Sequence, residues 1–202
     1  MSGNAAELPA AFLLNDRFPR ALEMALALHG RQRRKGSGTS YIGHLLGVTS
    51  IVIEEGGSED QAIAALLHDA PEDAGGEETL ERIRSEFGEA VAQIVEDCTD
   101  SMEDPKPPWR PRKEAYLAHL DDAVPEALLV SLADKLHNAR AILLDYRQLG
   151  EALWKRFRGS REEVLWYYRS LVAAFKRLRP GRLADELERT VAELERLVGS
   201  SG

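Results

Sequence analysis

The residues best suited to chemistry begin at His68-Asp69, which follows the apolar run Ala62-Ile63-Ala64-Ala65-Leu66-Leu67 and precedes Pro71, Glu72 and Asp73. The run reads as a buried helix. Pro71 has no backbone N–H and its ring crowds the preceding turn, so that helix ends or kinks near Asp69 or Ala70. One imidazole and three carboxylates then gather at the C-terminal end of a core helix. The macrodipole there is negative and burial disfavours ionised carboxylates. A bound divalent cation removes both objections. Two other stretches offer partners. His44 lies beside the apolar face of a helix, directly after a basic, glycine-rich loop. Asp134 lies in the strongly apolar stretch Ser131-Leu132-Ala133-Asp134-Lys135-Leu136, and Asn138, four residues on, shares its face. A buried aspartate needs a partner, and neither Lys135 nor Arg140 shares that face well.

His44, His68, Asp69 and Asp134 form a mixed nitrogen and oxygen donor set. Such a set suits Mn²⁺, Fe²⁺ or Zn²⁺, with affinity alone not choosing among them. With positions left open for water, the ion acts as Lewis acid and water activator. Glu72 and Asp73, one turn on, are placed to orient or deprotonate that water or to protonate a leaving oxygen. Their competing reading is a solvated acidic turn leading into Gly75-Gly76. Any one of the five histidines taken alone reads as a packed or solvated side chain.

These side chains need helices to hold them. Apolar positions recur at helical spacing over 17–29, with Gly30 as a stop. Residues 31–40 form the basic loop. A second helix carries Ile42, Leu45, Val48, Ile51 and Val52 and ends at Gly56-Gly57. Ser58 with Gln61 is a capping box opening the His68 helix. Amphipathic helices are expected over 77–87 and 89–97. Residues 98–112, with four prolines, read as irregular. Further helices are expected over 113–120, from Pro125 to about residue 146, and over 161–178 behind a Ser160/Glu163 capping box. A last helix, 183–198, has near-heptad apolar spacing that packs on its own domain or pairs with a second copy. No strand pattern or repeat stands out, so the expected fold class is all-α. The expected layout is an arm over 1–16, a domain over 17–178 and a C-terminal helix over 179–202.

Bulk composition narrows the partners. The chain has 202 residues, 44% hydrophobic and 30% charged, with a formal net charge of -8. That acidic balance argues against nucleic acid as a partner, which requires a basic footprint. No apolar run reaches the ~18 residues of a membrane span. The single cysteine, Cys98, excludes an internal disulfide framework and suits a reducing, cytoplasmic setting.

Taken with their flanks, the three stretches resemble a known family. Arg34-Lys35-Gly36-Ser37-Gly38-Thr39-Ser40-Tyr41-Ile42-Gly43-His44 is similar to the R-K-x-G-x-P-Y-x-x-H segment of the RelA/SpoT hydrolase domain, within the HD phosphohydrolase superfamily. Ala64 to Asp73 is similar to its A-A-L-L-H-D-x-x-E-D, and Leu132 to Arg140 to its L-A-D-[KR]-L-H-N-x-R. Pro71 and Ser40 depart from that pattern. The resemblance covers roughly 17–178. It implies a single HD-domain bundle of about eight to ten helices that hydrolyses guanosine alarmones, ppGpp and pppGpp, at the 3′-pyrophosphate with one Mn²⁺. It further implies His44, His68, Asp69 and Asp134 as metal ligands and Glu72 and Asp73 as the acid/base pair. Arg34, Lys35 and Asn138 are implied as contacts to a small-molecule nucleotide. Relatives of this kind also act on adenosine alarmones and NADPH. The alternatives are an HD-type phosphatase releasing orthophosphate, and a nucleotide-sensing module without turnover. The protein being acidic, a polyanionic substrate needs a local basic patch, which Arg31, Arg33, Arg34 and Lys35 supply. Lys106, Arg110, Arg112, Lys113, Lys155, Arg156 and Arg158 are further candidates for that patch, with a solvated face the favoured reading, because charge runs usually face water.

Overall fold

The centre of the fold is α3 (Glu59–Leu67), whose segment Ala62 to Leu67 is wholly removed from solvent. A computed structural model describes residues 14–34, 36–103 and 105–200. The expected arm therefore lies almost entirely outside the described residues, as does Lys35. The α3 helix is small and apolar enough to be surrounded. It packs against α1 (Arg17–His29), α2 (Ile42–Glu54), α6 (Glu89–Cys98) and α8 (Pro125–Leu149). Its start is set by the expected capping box, in which Gln61 N–H donates to Ser58 Oγ (3.3 Å) and Ser58 N–H donates to Gln61 Oε1 (2.9 Å). That satisfies two of the donors a helix start leaves open.

After Leu67 the chain turns at His68 and Asp69 and re-forms as the single turn α4 (Ala70–Asp73). Pro71 sits in the first turn of that helix, where its missing N–H costs nothing. The proline thus both ends one helix and starts the next, and Asp69 lies at the joint. α5 (Gly76–Phe87) begins at Gly76 rather than in a loop, with Gly75 and Gly76 at positive φ (108° and 57°). α7 (Trp109–His119) begins four residues before the expected 113. Pro111 is tolerated because it falls within the first turn.

α8 is the long helix, and it runs on to Leu149. A 3₁₀ segment, Gly150–Arg156, follows and was not foreseen. α9 (Arg161–Leu178) opens on the second capping box, with both reciprocal bonds formed by Ser160 and Glu163. α10 (Arg182–Gly199) buries Leu183, Leu187, Val191 and Leu194 against α8 and α9. Its apolar seam is used within the chain. Ion pairs flank it, including Arg147 to Glu193 (2.6 Å) and Lys176 to Asp185 (2.6 Å). The described residues hold helices and one isolated bridge, Arg33 to Ser40, and no strand, which is the all-α class expected. No described helix is long and apolar enough to cross a membrane.

Candidate metal and nucleotide site

Three elements bring four side chains together, three of them buried and Asp69 partly exposed. α2 brings His44 from its first turn, the α3–α4 joint brings His68 and Asp69, and α8 brings Asp134. His44 Nε2 lies 3.2 Å from Asp134 Oδ1 and 3.6 Å from Asp69 Oδ2. His68 Nε2 lies 3.0 Å from Asp69 Oδ2 and 3.6 Å from Asp134 Oδ1. Donor atoms of His44, His68 and Asp134 all fall within 4.8 Å of one another.

The imidazoles are held with Nε2 facing inward. His68 Nδ1 is 2.9 Å from the Ala65 carbonyl and must carry its proton there. Its Nε2 is buried without a hydrogen-bond partner, and an unused nitrogen of that kind, facing two carboxylates, fits a cation. His44 Nδ1 lies 2.9 Å from His137 Nδ1. His137 is shifted down to about 4 by burial, by His44 and by the Arg34 guanidinium. It is therefore neutral near pH 7, and its Nδ1 lone pair accepts from His44. Gly47 makes this approach possible. A Cβ there would come within 2.5 Å of His137 Cδ2, so only glycine lets α2 and α8 close at this level.

The carboxylates are tied from behind. Tyr41 Oη donates to Asp69 Oδ2. Asn138 Nδ2 donates to Asp134 Oδ1 (2.6 Å), the shared face expected from their spacing, and Lys135 Nζ lies 2.7 Å from Asp134 Oδ2. The sequence reading denied Lys135 this role, and the structure corrects it: the flexible four-carbon stem folds back along the helix to the preceding residue. Burial pushes the Asp134 carboxyl up, but Lys135, His44 and His68 more than reverse this and hold it well below the usual range. Asp69 is also held low, burial being outweighed by His68 and His44. For His68 burial lowers affinity for a proton, while Asp69 raises it further, leaving the imidazole well above its ordinary range.

A cavity of about 250 Å³ opens in front of this cluster, lined by Gln32, Arg34, Tyr41, Asp69, Glu72 and Asp73 among others. Arg34 Nη2 donates to Asn138 Oδ1, joining two of the residues read as nucleotide contacts. A neighbouring cavity of about 320 Å³ adds Ile142, Leu144 and Phe157 to Arg34 and Asn138. A third, of about 350 Å³, is walled by Lys106, Arg112, Arg156 and Arg158, with Glu72 on its edge. Lys106 Nζ lies 2.7 Å from Glu72 Oε1 and 3.7 Å from Asp73 Oδ1. Lys106 and Arg112 therefore do not simply face water, as expected from sequence. Arg112 is largely buried against Asp100. Arg110 lies 3.2 Å from the centre of the Trp166 ring. Lys155 is exposed, as expected.

Residues 21–164 match the HD domain family. The chain belongs to that family. The guanosine-3′,5′-bis(diphosphate) 3′-pyrophosphohydrolase MESH1 of Xenopus tropicalis is 44% identical to this chain over 123 residues, 59% of the chain and 66% of the relative. The human protein of the same name is 41% identical over 123 residues, with the same shares. The part of the chain that aligns thus spans 66% of the length of each of these relatives. Among solved structures, one described as a metazoan ortholog of SpoT that hydrolyzes ppGpp superposes with a TM-score of 0.70 and 26% identity. That superposition covers 91% of this chain and 96% of the other.

His137 and Tyr41 were given no role from sequence, Lys135 was set aside as a partner of Asp134, and Lys106 was a basic-patch candidate expected to face water. His137 carried a usable signal, since it falls three residues after Asp134 and so on the same helical face. Lys106 carried none, because nothing in a proline-rich segment sets which way a side chain points.

Proposed function

We propose that this chain is a metal-dependent 3′-pyrophosphohydrolase of alarmone nucleotides, ppGpp foremost, acting in a stringent-type response in the cytoplasm. The supporting observation is the union in one cleft of the buried group His44, His68 and Asp134, with the partly buried Asp69 3.0 Å from His68, Glu72 and Asp73 at its mouth and Arg34–Asn138 alongside. The names carried by the MESH1 relatives point the same way.

His44, His68, Asp69 and Asp134 would hold one Mn²⁺. When bound, such an ion supplies Lewis-acid polarisation of a phosphoryl oxygen and eases loss of a proton from water. The chain supplies the rest. Arg34 and Asn138 with Leu144 and Phe157 form the apolar-and-planar seat for a purine, and a guanidinium can stack on a base face. Lys106, Arg112, Arg156 and Arg158 face the phosphates. Asp73 or Glu72 takes a proton from water as the water oxygen bonds to the phosphorus nearest the ribose. The bond from that phosphorus to O3′ breaks, and the proton is returned to O3′. Lys35, next to Arg34 in sequence and outside the described residues, is assigned as a further substrate contact by the family resemblance alone.

The test is a product assay on purified protein with Mn²⁺, giving ppGpp, ppApp and NADPH separately and resolving the phosphate species released. Pyrophosphate from ppGpp or ppApp is expected. Glu72→Gln and Asp73→Asn should keep the metal and lose turnover. Orthophosphate alone, or no product from any of the three, would overturn the reading.

A further inference from the structure

We propose that Gln32, held by the buried His29, is the positioning residue that aims Asp73 at the reacting centre. This rests on the acid/base role proposed above for Asp73. Gln32 has each of its polar groups used. Its backbone N–H donates to His29 O (2.9 Å) and its carbonyl accepts from Tyr41 N–H (3.0 Å). Its side-chain Oε1 lies 2.5 Å from His29 Nδ1, and its Nε2 donates to Asp73 Oδ2 (2.7 Å). A side chain pinned at both ends has one amide orientation. With Nε2 on an ionised carboxylate, Oε1 must face His29, so His29 must carry its proton on Nδ1. The reverse orientation would set amide oxygen against carboxylate oxygen.

His29 is at the C-terminus of α1 and has no exposed surface. A plain packed histidine would explain its burial but not its geometry. One edge fixes Gln32, and its ring lies 5.5 Å from that of Tyr41, whose hydroxyl donates to Asp69. The end of α1 therefore supports both the proton-transfer carboxylate and a metal-facing one, without touching either.

The two carboxylates of α4 receive different partners as a result. Glu72 is paired with a cation, Lys106, at 2.7 Å, while Asp73 has that ammonium at 3.7 Å from Oδ1 and the neutral amide of Gln32 at 2.7 Å from Oδ2. The amide is the closer of the two and the one within hydrogen-bond distance, so it fixes where Oδ2 points. The Asp73 side chain is about one quarter exposed (27%). Without Gln32 it would sample other rotamers, and misorientation of a proton-transfer group lowers the rate of the chemical step.

The experiment uses the full chain loaded with Mn²⁺ and ppGpp as substrate. Gln32→Ala is expected to lower kcat by about 10- to 100-fold, the range found when partners that orient a ligand or catalytic group are removed. KM should stay within about twofold, because uniform substrate binding is untouched. Mn²⁺ affinity by calorimetry and the melting temperature should match wild type. In an Asp73→Asn background Gln32→Ala should cost nothing further. Wild-type kcat in Gln32→Ala, or an equal proportional loss on top of Asp73→Asn, would overturn the positioning role. So would a parallel fall in metal affinity and melting temperature, which marks a structural residue. A readout independent of turnover is the ¹⁵N side-chain amide resonance of Gln32, which should shift in Asp73→Ala; no shift overturns the contact itself. A wild-type protein that hydrolyses no alarmone overturns the functional reading, and the catalytic meaning of the contact with it. An active wild type indifferent to Gln32→Ala overturns only this inference.

Discussion

Replacing Asp134 by alanine should destabilise the metal-free protein, against the usual expectation for a crowded functional carboxylate. Removing one of two neighbouring acids ordinarily relieves repulsion. Here Asp134 faces one like charge, Asp69, and two unlike ones, the Lys135 ammonium at 2.7 Å and the His68 imidazole. The Lys135 side chain is only 12% exposed, and its other close neighbour is the ring of Tyr116, 4.6 Å from Nζ. Loss of one partner from a buried pair costs about 3–5 kcal/mol because the other charge stays uncompensated. The cost has a ceiling. Lys135 can shed its proton instead, and neutralising a lysine about 3.4 pH units below its ordinary pKa costs about 4.6 kcal/mol at pH 7. Alanine's better helix propensity returns roughly 0.6 kcal/mol. The net loss is then about 2.4–4 kcal/mol, or a fall in Tm of about 5–16 °C for a chain of this size. The assay is urea and thermal unfolding in EDTA for wild type, Asp134→Ala, Lys135→Met and the double variant. The double variant should recover at least half of the loss while remaining unable to bind Mn²⁺. An Asp134→Ala protein as stable as wild type in EDTA would refute the pairing argument.

Two further outcomes follow from the contacts behind the cluster. Gly47→Ala drives a methyl group into His137, so overpacking of about 1–3 kcal/mol outweighs the roughly 1 kcal/mol gained in helix propensity. Displacing His137 also frees His44 Nδ1, and Mn²⁺ affinity measured by calorimetry should drop about 10-fold or more, with no further drop on adding His137→Ala. The second outcome concerns pH. His137 is depressed to about 4 in the fold against about 6.5 unfolded, so the unfolded chain binds the extra proton between these values. Its contribution lowers stability as pH falls through 6.5 towards 4, is constant below about 4, and vanishes above 6.5. Metal-free His137→Gln should show a flatter Tm–pH curve across that window; an unchanged slope would show His137 to be unshifted.

Much of the site was legible because its residues lie on elements whose faces are fixed by period. Asp134 and Asn138 had to share a side of α8, and the apolar run before His68 had to be a buried helix. The Ser58 and Ser160 caps were legible because a capping box is a local contract between four residues. What stayed hidden were contacts that period cannot set. Lys135 reaches its own neighbour because a flexible stem can fold back when both ends are buried. Lys106 reaches Glu72 from a segment without regular structure, and the 3₁₀ segment at Gly150–Arg156 breaks no sequence rule that would announce it. The α7 start at Trp109 was missed because prolines were counted as breakers, whereas a proline in a first turn is an ordinary helix residue.

The charges that were misjudged share one physical cause. A chain of net charge -8 has few cations to leave unpaired in a cleft, and several of those near the site lie against the chain's own carboxylates. Lys106 sits on Glu72, and Arg112 and Lys113 on Asp100. A phosphate entering this cleft must compete with Glu72 for Lys106. The exchange replaces one ionic contact by another, so it contributes little net affinity, as expected for pairs that are partly desolvated on both sides. Its effect falls on Glu72 instead, which loses its cation as the phosphate gains one. Lys106 lies 2.7 Å from Glu72 and 3.7 Å from Asp73, so a phosphate that draws this ammonium away changes the surroundings of both carboxylates together.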